Sequence, residues 1–364
     1  MIVTFPHMGT LHVVLSALFK GLGCEVLVPP PVSKKTLELG AAWSPETVCL
    51  PFKITLGSFI EALENGADTL VTCGGVGPCR LGYYAEIQRG ILQALGYRFE
   101  MIVIEPDWVD VLKKFRYLSR GQNMYKIYQA FRLAGAKMIA LDSIERQATY
   151  VRAREKQAGT VDRIWHEAVD KIAAINDPRI VMQVAAEVCR QFDALELNSS
   201  CDPLRIGLVG EIFVMLEPYV NLELVRFLGR LGVEVNKTMY LSDYVRGHLM
   251  HLPHYRKLNR QLEKLARPYL GHYVGGHGIK SVGQTVNLAN MAYDGIVHVF
   301  PFSCMPEVIA KNILPYISQR EGIPVLSLAF DEQSGLAGIH TRLEAFVDLL
   351  RYRRARQPSS SPAW

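Results

Sequence analysis

The chain has no hydrophobic run near the ~18 residues that cross a bilayer, and its opening, MIVTFPHMG, has no basic segment followed by an apolar core. Both absences point to a cytoplasmic protein with no membrane partner, where structural disulfides are rare. Close cysteine pairs of the C-x2-C kind used by structural zinc are missing as well; the nearest pair is C-x5-C, Cys73 and Cys79. No G-x4-G-K-[ST] occurs, which removes a P-loop, and CGGVGPC (73–79) lacks the third glycine of a dinucleotide fingerprint. Charge of one sign is not in excess either, since 40 Lys and Arg against 35 Asp and Glu leave only +5. The basic residues Lys113, Lys114, Arg116, Arg120, Arg132, Arg152 and Arg154 are interleaved with acids and apolar positions. They read as solvated helix faces, and no nucleic-acid partner is expected.

With 364 residues, 49% of them hydrophobic, the chain is long enough for two cores. Short apolar segments alternate with amphipathic ones through the first hundred residues. Strands are expected at 2–6, 25–29, 68–73 and 99–105, and helices at 10–22, 51–64 and 82–95. That alternation predicts a parallel sheet with helices on both faces. From 107 to about 197 the pattern turns helical, with helices expected at 125–133, 144–158, 161–175 and 179–192. The α/β rhythm resumes at LRIGLVGEIF (204–213). Strands are expected at 234–240, 295–300 and 324–330, and helices at 220–231, 254–265, 281–291, 306–318 and 341–353. The division is therefore a first α/β domain 1–106, a helical segment 107–200, a second α/β domain 201–354 and a disordered Pro/Ser-rich tail 355–364.

The two α/β blocks echo each other. ADTLVTCGGVGPCRLGYYAEIQRG (67–90) and YDGIVHVFPFSCMPEVIAKNI (293–313) each run Asp, apolar strand, cysteine, helix. Cys79 and Cys304 thereby fall just past the carboxyl end of a strand, where open parallel sheets hold their ligands. Cys49, like Cys79 and Cys304, lies in a βα-type loop or at the start of a helix, and it and Cys304 each precede a helix-opening proline, Pro51 and Pro306. A helix mouth favours a thiolate and any anion bound to it. Three thiolates from separate loops suit a soft metal or an iron–sulfur cluster, with zinc the weaker alternative. Lys53 and Arg80 stand near two of them and could balance negative charge. Cys73 is open between a fourth ligand, a gating residue and a packed thiol, while Cys24, Cys189 and Cys201 read as buried small hydrophobes or linker positions. In YVGGHGIKSVGQT (273–285), Gly276, His277 and Ser281 are candidate anion or substrate contacts, against a plain loop with a serine cap. His277 is the best acid–base candidate among His7, His12, His277 and His298.

At these residues the chain resembles the 2-hydroxyacyl-CoA dehydratase and benzoyl-CoA reductase superfamily, most of all its activase-related, 2-hydroxyglutaryl-CoA dehydratase-like branch. PETVCLPFK, GGVGPCRLGYYAEIQ, GGHGIKSVGQT, PFSCMPE and TRLEAFVDLL carry the likeness. The resemblance implies two Rossmann-like domains facing a central cleft and clasping a [4Fe–4S] cluster, its cysteines mapping onto Cys49, Cys79 and Cys304. It also implies low-potential electrons delivered by a separate ATP-hydrolysing iron–sulfur activator, anaerobic chemistry on a small substrate such as an acyl-CoA, and a homo- or hetero-oligomer. The chain has too few plausible cysteine ligands for a double cubane, so one cubane per subunit is expected. A radical dehydratase or a reductase component of its own, a non-catalytic electron-transfer or cluster-carrier subunit, and a metal-free small-molecule binder are the functions to be told apart.

Overall fold

The computed structural model describes residues 1–356 except 76, 106, 199–201, 250 and 251, and excepting the side chains of 108, 248 and 249. The first part comprises β1 (Ile2–Thr4), α1 (Leu11–Gly21), β2 (Glu25–Val26), α2 (Lys34–Trp43), α3 (Leu50–Glu64), β3 (Thr69–Cys73), α4 (Leu81–Ala94), β4 (Glu100–Ile104) and α5 (Trp108–Leu118). Three helices follow: α6 (Met124–Arg152), α7 (Thr160–Ala174) and α8 (Pro178–Asp193). The last part holds β5 (Leu204–Gly210), α9 (Ile212–Leu216), α10 (Leu224–Arg230), β6 (Val233–Lys237) and α11 (Leu241–Tyr244), which runs into a π turn over Val245–Leu249. It ends with α12 (Pro253–Ala266), α13 (Gly278–Asn290), β7 (Gly295–Pro301), α14 (Met305–Glu321), β8 (Val325–Phe330) and α15 (Leu336–Arg356).

The strands form two four-stranded sheets in the orders β2-β1-β3-β4 and β6-β5-β7-β8, every pairing parallel. The protein is thus α/β, with two Rossmann-like parallel sheets flanked by helices. The echo seen in the sequence is structural. Asp68, before β3, accepts the Ile2 N–H on Oδ1 at 2.7 Å; Asp294, before β7, accepts the Arg205 N–H on Oδ2 at 2.7 Å. The same acid pins the same pair of strands in both lobes.

Helix α3 joins the lobes. Every residue from Leu50 to Leu63 is buried, the pattern of a helix walled on all sides. Leu50 and Ile54 enter the core of the second sheet, whereas Phe52, Leu56, Phe59 and Ile60 pack under β3 and α4. Each such side chain contributes roughly 1.5–3 kcal/mol relative to exposure, so the helix that begins at Cys49 is fixed to both lobes. Polar contacts reinforce the seam. His7 Nδ1 lies 3.1 Å from Glu217 Oε2, the Gly9 N–H donates to the same oxygen at 2.7 Å, and Lys53 Nζ meets Glu332 Oε1 at 2.5 Å.

Several expected bounds shift. α2 and α5 were not anticipated, and the helices expected at 125–133 and 144–158 belong to one helix, α6, which stops at Arg152, so that 153–158 are not helical. The helix expected from 220 starts at Leu224, because Leu222 and Glu223 adopt left-handed backbone at φ +56° and +58°. α15 reaches Arg356, so the first two residues assigned to the tail are helical; 357–364, and with them the rest of that tail, lie outside the described residues, as does Cys201. No helix among the described residues is long and apolar enough to cross a membrane.

Candidate functional site

Cys49 is the N-cap of α3 and Cys304 the N-cap of α14, each followed by a proline in the first turn; neither thiol caps its helix with a hydrogen bond. Cys79 stands one residue before Arg80, the N-cap of α4. One carbonyl draws the three segments together. Thr47 O accepts Arg80 Nη1 at 2.9 Å and Ser303 Oγ at 3.1 Å. A residue two before Cys49, the residue after Cys79 and the residue before Cys304 therefore meet at a single oxygen atom. Ser303 holds φ +65° to do so, a left-handed conformation that costs a non-glycine residue about 1–2 kcal/mol. Cys49 is buried and shares a 2.5 Å hydrogen bond with the Tyr84 hydroxyl, whose ring packs edge-on against Phe52 at 5.1 Å. Cys79 and Cys304 are half-buried, and Cys73, the last residue of β3, is exposed.

The thiols sense one another. Cys79 and Cys304 each interact electrostatically with Cys49, and Glu211 acts on all three. Glu211 follows β5 directly and accepts the Val214 N–H at 3.1 Å; burial raises its carboxyl to about 7. Burial first, and Glu211 among the further causes, pushes all three thiols up. This corrects the expectation that the helix mouths make thiolates. The N–H groups of Leu81 and Glu307 do favour the charged forms of Cys79 and Cys304, but desolvation outweighs them. A set of thiolates here needs further positive charge. No three His, Cys, Asp or Glu side chains among the described residues are grouped so as to hold a single metal ion.

The glycine-rich loop before α13 packs into this junction. A Cβ on Gly275, at φ +89°, would lie 2.9 Å from the Cys79 nitrogen, and one on Gly276 would lie 3.1 Å from Pro306 Cγ. The loop's backbone thus spans from the Cys79 turn to the mouth of α14. His277 is the N-cap of α13 and meets the Tyr244 ring edge-on at 6.0 Å. Tyr244 is raised to about 12 by burial first and then by Cys73 and Cys79. Beside it opens a cavity of about 440 Å³ lined by Gly210, Tyr244, Arg146, Arg246, Lys280 and Ser281. The Ser281 hydroxyl is buried with no hydrogen-bond partner among the described residues.

Other candidates have different places. The charge of Lys53, expected to face a cluster, is met across the lobes by Glu332. Arg80 uses one guanidinium nitrogen to hold Thr47 O. His298 is fully buried, with Nε2 2.9 Å from Glu307 Oε2 and Nδ1 3.2 Å from Ser327 Oγ; it braces the first turn of α14. His7 and His12 stack at 4.8 Å at the lobe seam. Cys24 is buried, its thiol donating to Leu118 O at 3.4 Å, and Cys189 is half-buried on α8. Sequence reasoning missed Thr47, Tyr84, Glu211 and Tyr244. Only Glu211 had a signal, an acid directly after an apolar strand, the position that singled out the cysteines.

No curated protein matches the chain in a sequence comparison. Residues 7–72, the stretch that carries α1 to α3 and with them Thr47 and Cys49, match the family model described as CoA enzyme activase uncharacterised domain (DUF2229). Over the half of the first lobe that builds the Cys49 helix, the protein is therefore similar to a domain related to the activases of CoA enzymes.

Proposed function

We propose that the protein is an iron–sulfur redox protein in which Cys49, Cys79 and Cys304 hold a [4Fe–4S] cluster at the seam between the two sheets. The carrying observation is the Thr47 carbonyl, which gathers the segments bearing all three cysteines. The donor set suits such a group: three thiols converge from separate loops, two of them half-open to a cleft. When bound, the cluster would accept and release one electron at low potential. The chain's own part is to hold the sulfurs through α3, α4 and α14, to keep the Tyr84 hydroxyl on Cys49, and to hold a proton on Glu211, whose carboxyl titrates near neutrality. The expected electron donor is a separate ATP-hydrolysing iron–sulfur activator, in keeping with the activase-related stretch.

The cavity beside Tyr244 has Asp142 and Asp243 in its lining as well as Arg146, Arg246 and Lys280, and Arg146 is paired with Asp243. The orphaned, buried Ser281 hydroxyl is the feature that favours a small polar substrate over a pure carrier role, and an acyl-CoA is the candidate to try first. Anaerobically purified protein, mixed with reduced activator and ATP, tests both. Bleaching of an iron–sulfur absorption together with loss of an added acyl-CoA supports the reading. Bleaching without substrate loss indicates a carrier, and colourless protein after anaerobic reconstitution refutes the cluster.

A further inference from the structure

A second cavity, of about 990 Å³, lies away from the cysteines, between α1, α6 and the turn that joins α7 to α8. Five cations line it: Lys20 from α1, Lys126, Arg132 and Lys137 from α6, and Arg179 from α8. None of them forms an ion pair among the described residues, although the chain pairs many of its other surface cations. The acid in the lining, Asp177, is committed to capping α8, accepting the N–H groups of Arg179 at 2.7 Å and Ile180 at 3.4 Å. Glu217 and then Asp170 act on His12, which also lines the cavity, and neither carboxylate is part of the lining.

Lys137 distinguishes this cavity from a solvated basic face. It is 2% exposed, and among the described residues only one of its three N–H donors has a protein acceptor, Ala173 O at 2.8 Å. Burial, and then the charge of Lys20, works against its ammonium. A buried ammonium without a counter-ion is costly, and a bound anion removes that cost. The four other cations are exposed at the rim, so the charge deepens towards Lys137. A long nucleic-acid backbone lies along a surface, whereas a terminal phosphate can enter a cavity. The volume exceeds that of one phosphate.

We propose that this cavity binds a small molecule carrying two or more phosphate groups, with a terminal phosphate directed at Lys137 and the inner ones held by Lys20, Lys126, Arg132 and Arg179. Calorimetry on the full chain at low salt, with tripolyphosphate, pyrophosphate and ADP as probes, tests it. Saturable binding that weakens as salt rises is expected. The exposed pair Lys20→Gln and Arg132→Gln, which removes no buried group, should weaken tripolyphosphate roughly tenfold or more. Lys137→Met should abolish binding while leaving an unchanged circular-dichroism spectrum; if it fails to fold, the surface double variant decides alone. Tighter binding of ADP than of pyrophosphate would extend the site to the nucleoside, and equal binding would confine it to the phosphates. No heat with any probe, affinity unchanged in the double variant, or a single-stranded oligonucleotide that displaces tripolyphosphate and binds more tightly would overturn the proposal.

Discussion

Ser303 Oγ donates to Thr47 O at 3.1 Å across 256 positions of sequence, and Arg80 donates to the same oxygen at 2.9 Å. The bond ties the mouth of α14 in one lobe to the segment that leads into α3 in the other. Ser303→Ala removes it and keeps the left-handed strain, and should cost about 1 kcal/mol of stability. Ser303→Gly removes it and relieves the strain, so its stability should be closer to the wild type. Both should lose iron faster to a chelator. Urea melts and chelation rates check this; equal chelation rates in wild type and both variants would remove Ser303 from the site.

Lys53, 4% exposed, meets Glu332 at 2.5 Å across the lobes. Glu332→Gln leaves a buried ammonium with no carboxylate and should destabilise by about 1–3 kcal/mol, discounted because Glu332 is partly exposed. Lys53→Met with Glu332→Gln should recover most of that loss. A double-mutant cycle by denaturant unfolding decides, and strict additivity would show that the pair is not coupled.

Gly275 is the close approach of the glycine loop to Cys79. With φ +89° and a Cβ position 2.9 Å from the Cys79 nitrogen, alanine there must move backbone. Gly275→Ala should cost about 1–2 kcal/mol from the conformation alone and lower iron content further, by displacing the Cys79 turn. Gly90→Ala, with nothing within 4 Å of its Cβ position, is the matched control and should retain iron.

Asp142 lines the smaller cavity and accepts the Ser242 N–H at 2.6 Å; burial raises its carboxyl to about 6. A folded value above the unfolded 3.8 means that the native state holds the extra proton. The group's stabilisation is therefore full below about pH 4 and is lost as pH rises through about 6. Relative to Asp142→Asn, the wild type should lose up to about 3 kcal/mol across that window. Unfolding free energies of both proteins at pH 4 and pH 7 measure it; a constant difference would contradict the assignment.

Much of the fold was legible because both lobes carry short apolar strands between amphipathic helices, and because the Asp-strand-cysteine-helix echo recurs at Asp68 and Asp294. Helix α2 was hidden by Gly40, which lowers helix propensity. The glycine is there because a Cβ would sit 1.7 Å from Lys53 O of the neighbouring helix α3, a tertiary demand with no local signal. α6 read as two helices because AGAKMIALDS breaks the amphipathic stripe; the segment is buried against α1 and α8 on more than one face. Cys79 and Cys304 do lie past the ends of β3 and β7, as the strand-then-cysteine pattern indicated, whereas Cys49 follows helix α2 and not a strand. The protonation of the thiols was not indicated, since helix-mouth polarity is readable from Pro51 and Pro306 whereas the opposing burial and the approach of Glu211 arise only in the folded protein. That approach is within the second lobe for Cys304 and across the lobes for Cys49. The Tyr84 hydroxyl was likewise beyond reach, as LGYYAEIQ presents two adjacent tyrosines and only packing decides which faces Cys49.

Iron and acid-labile sulfide in anaerobically reconstituted wild type, Cys49→Ala, Cys79→Ala and Cys304→Ala, with Cys24→Ala as control, test the central claim most directly. Equimolar iron and sulfide at one cubane per chain are predicted for the wild type and the control, with a large loss in each of the other three. A full complement of iron in all three would contradict a cluster held by Cys49, Cys79 and Cys304.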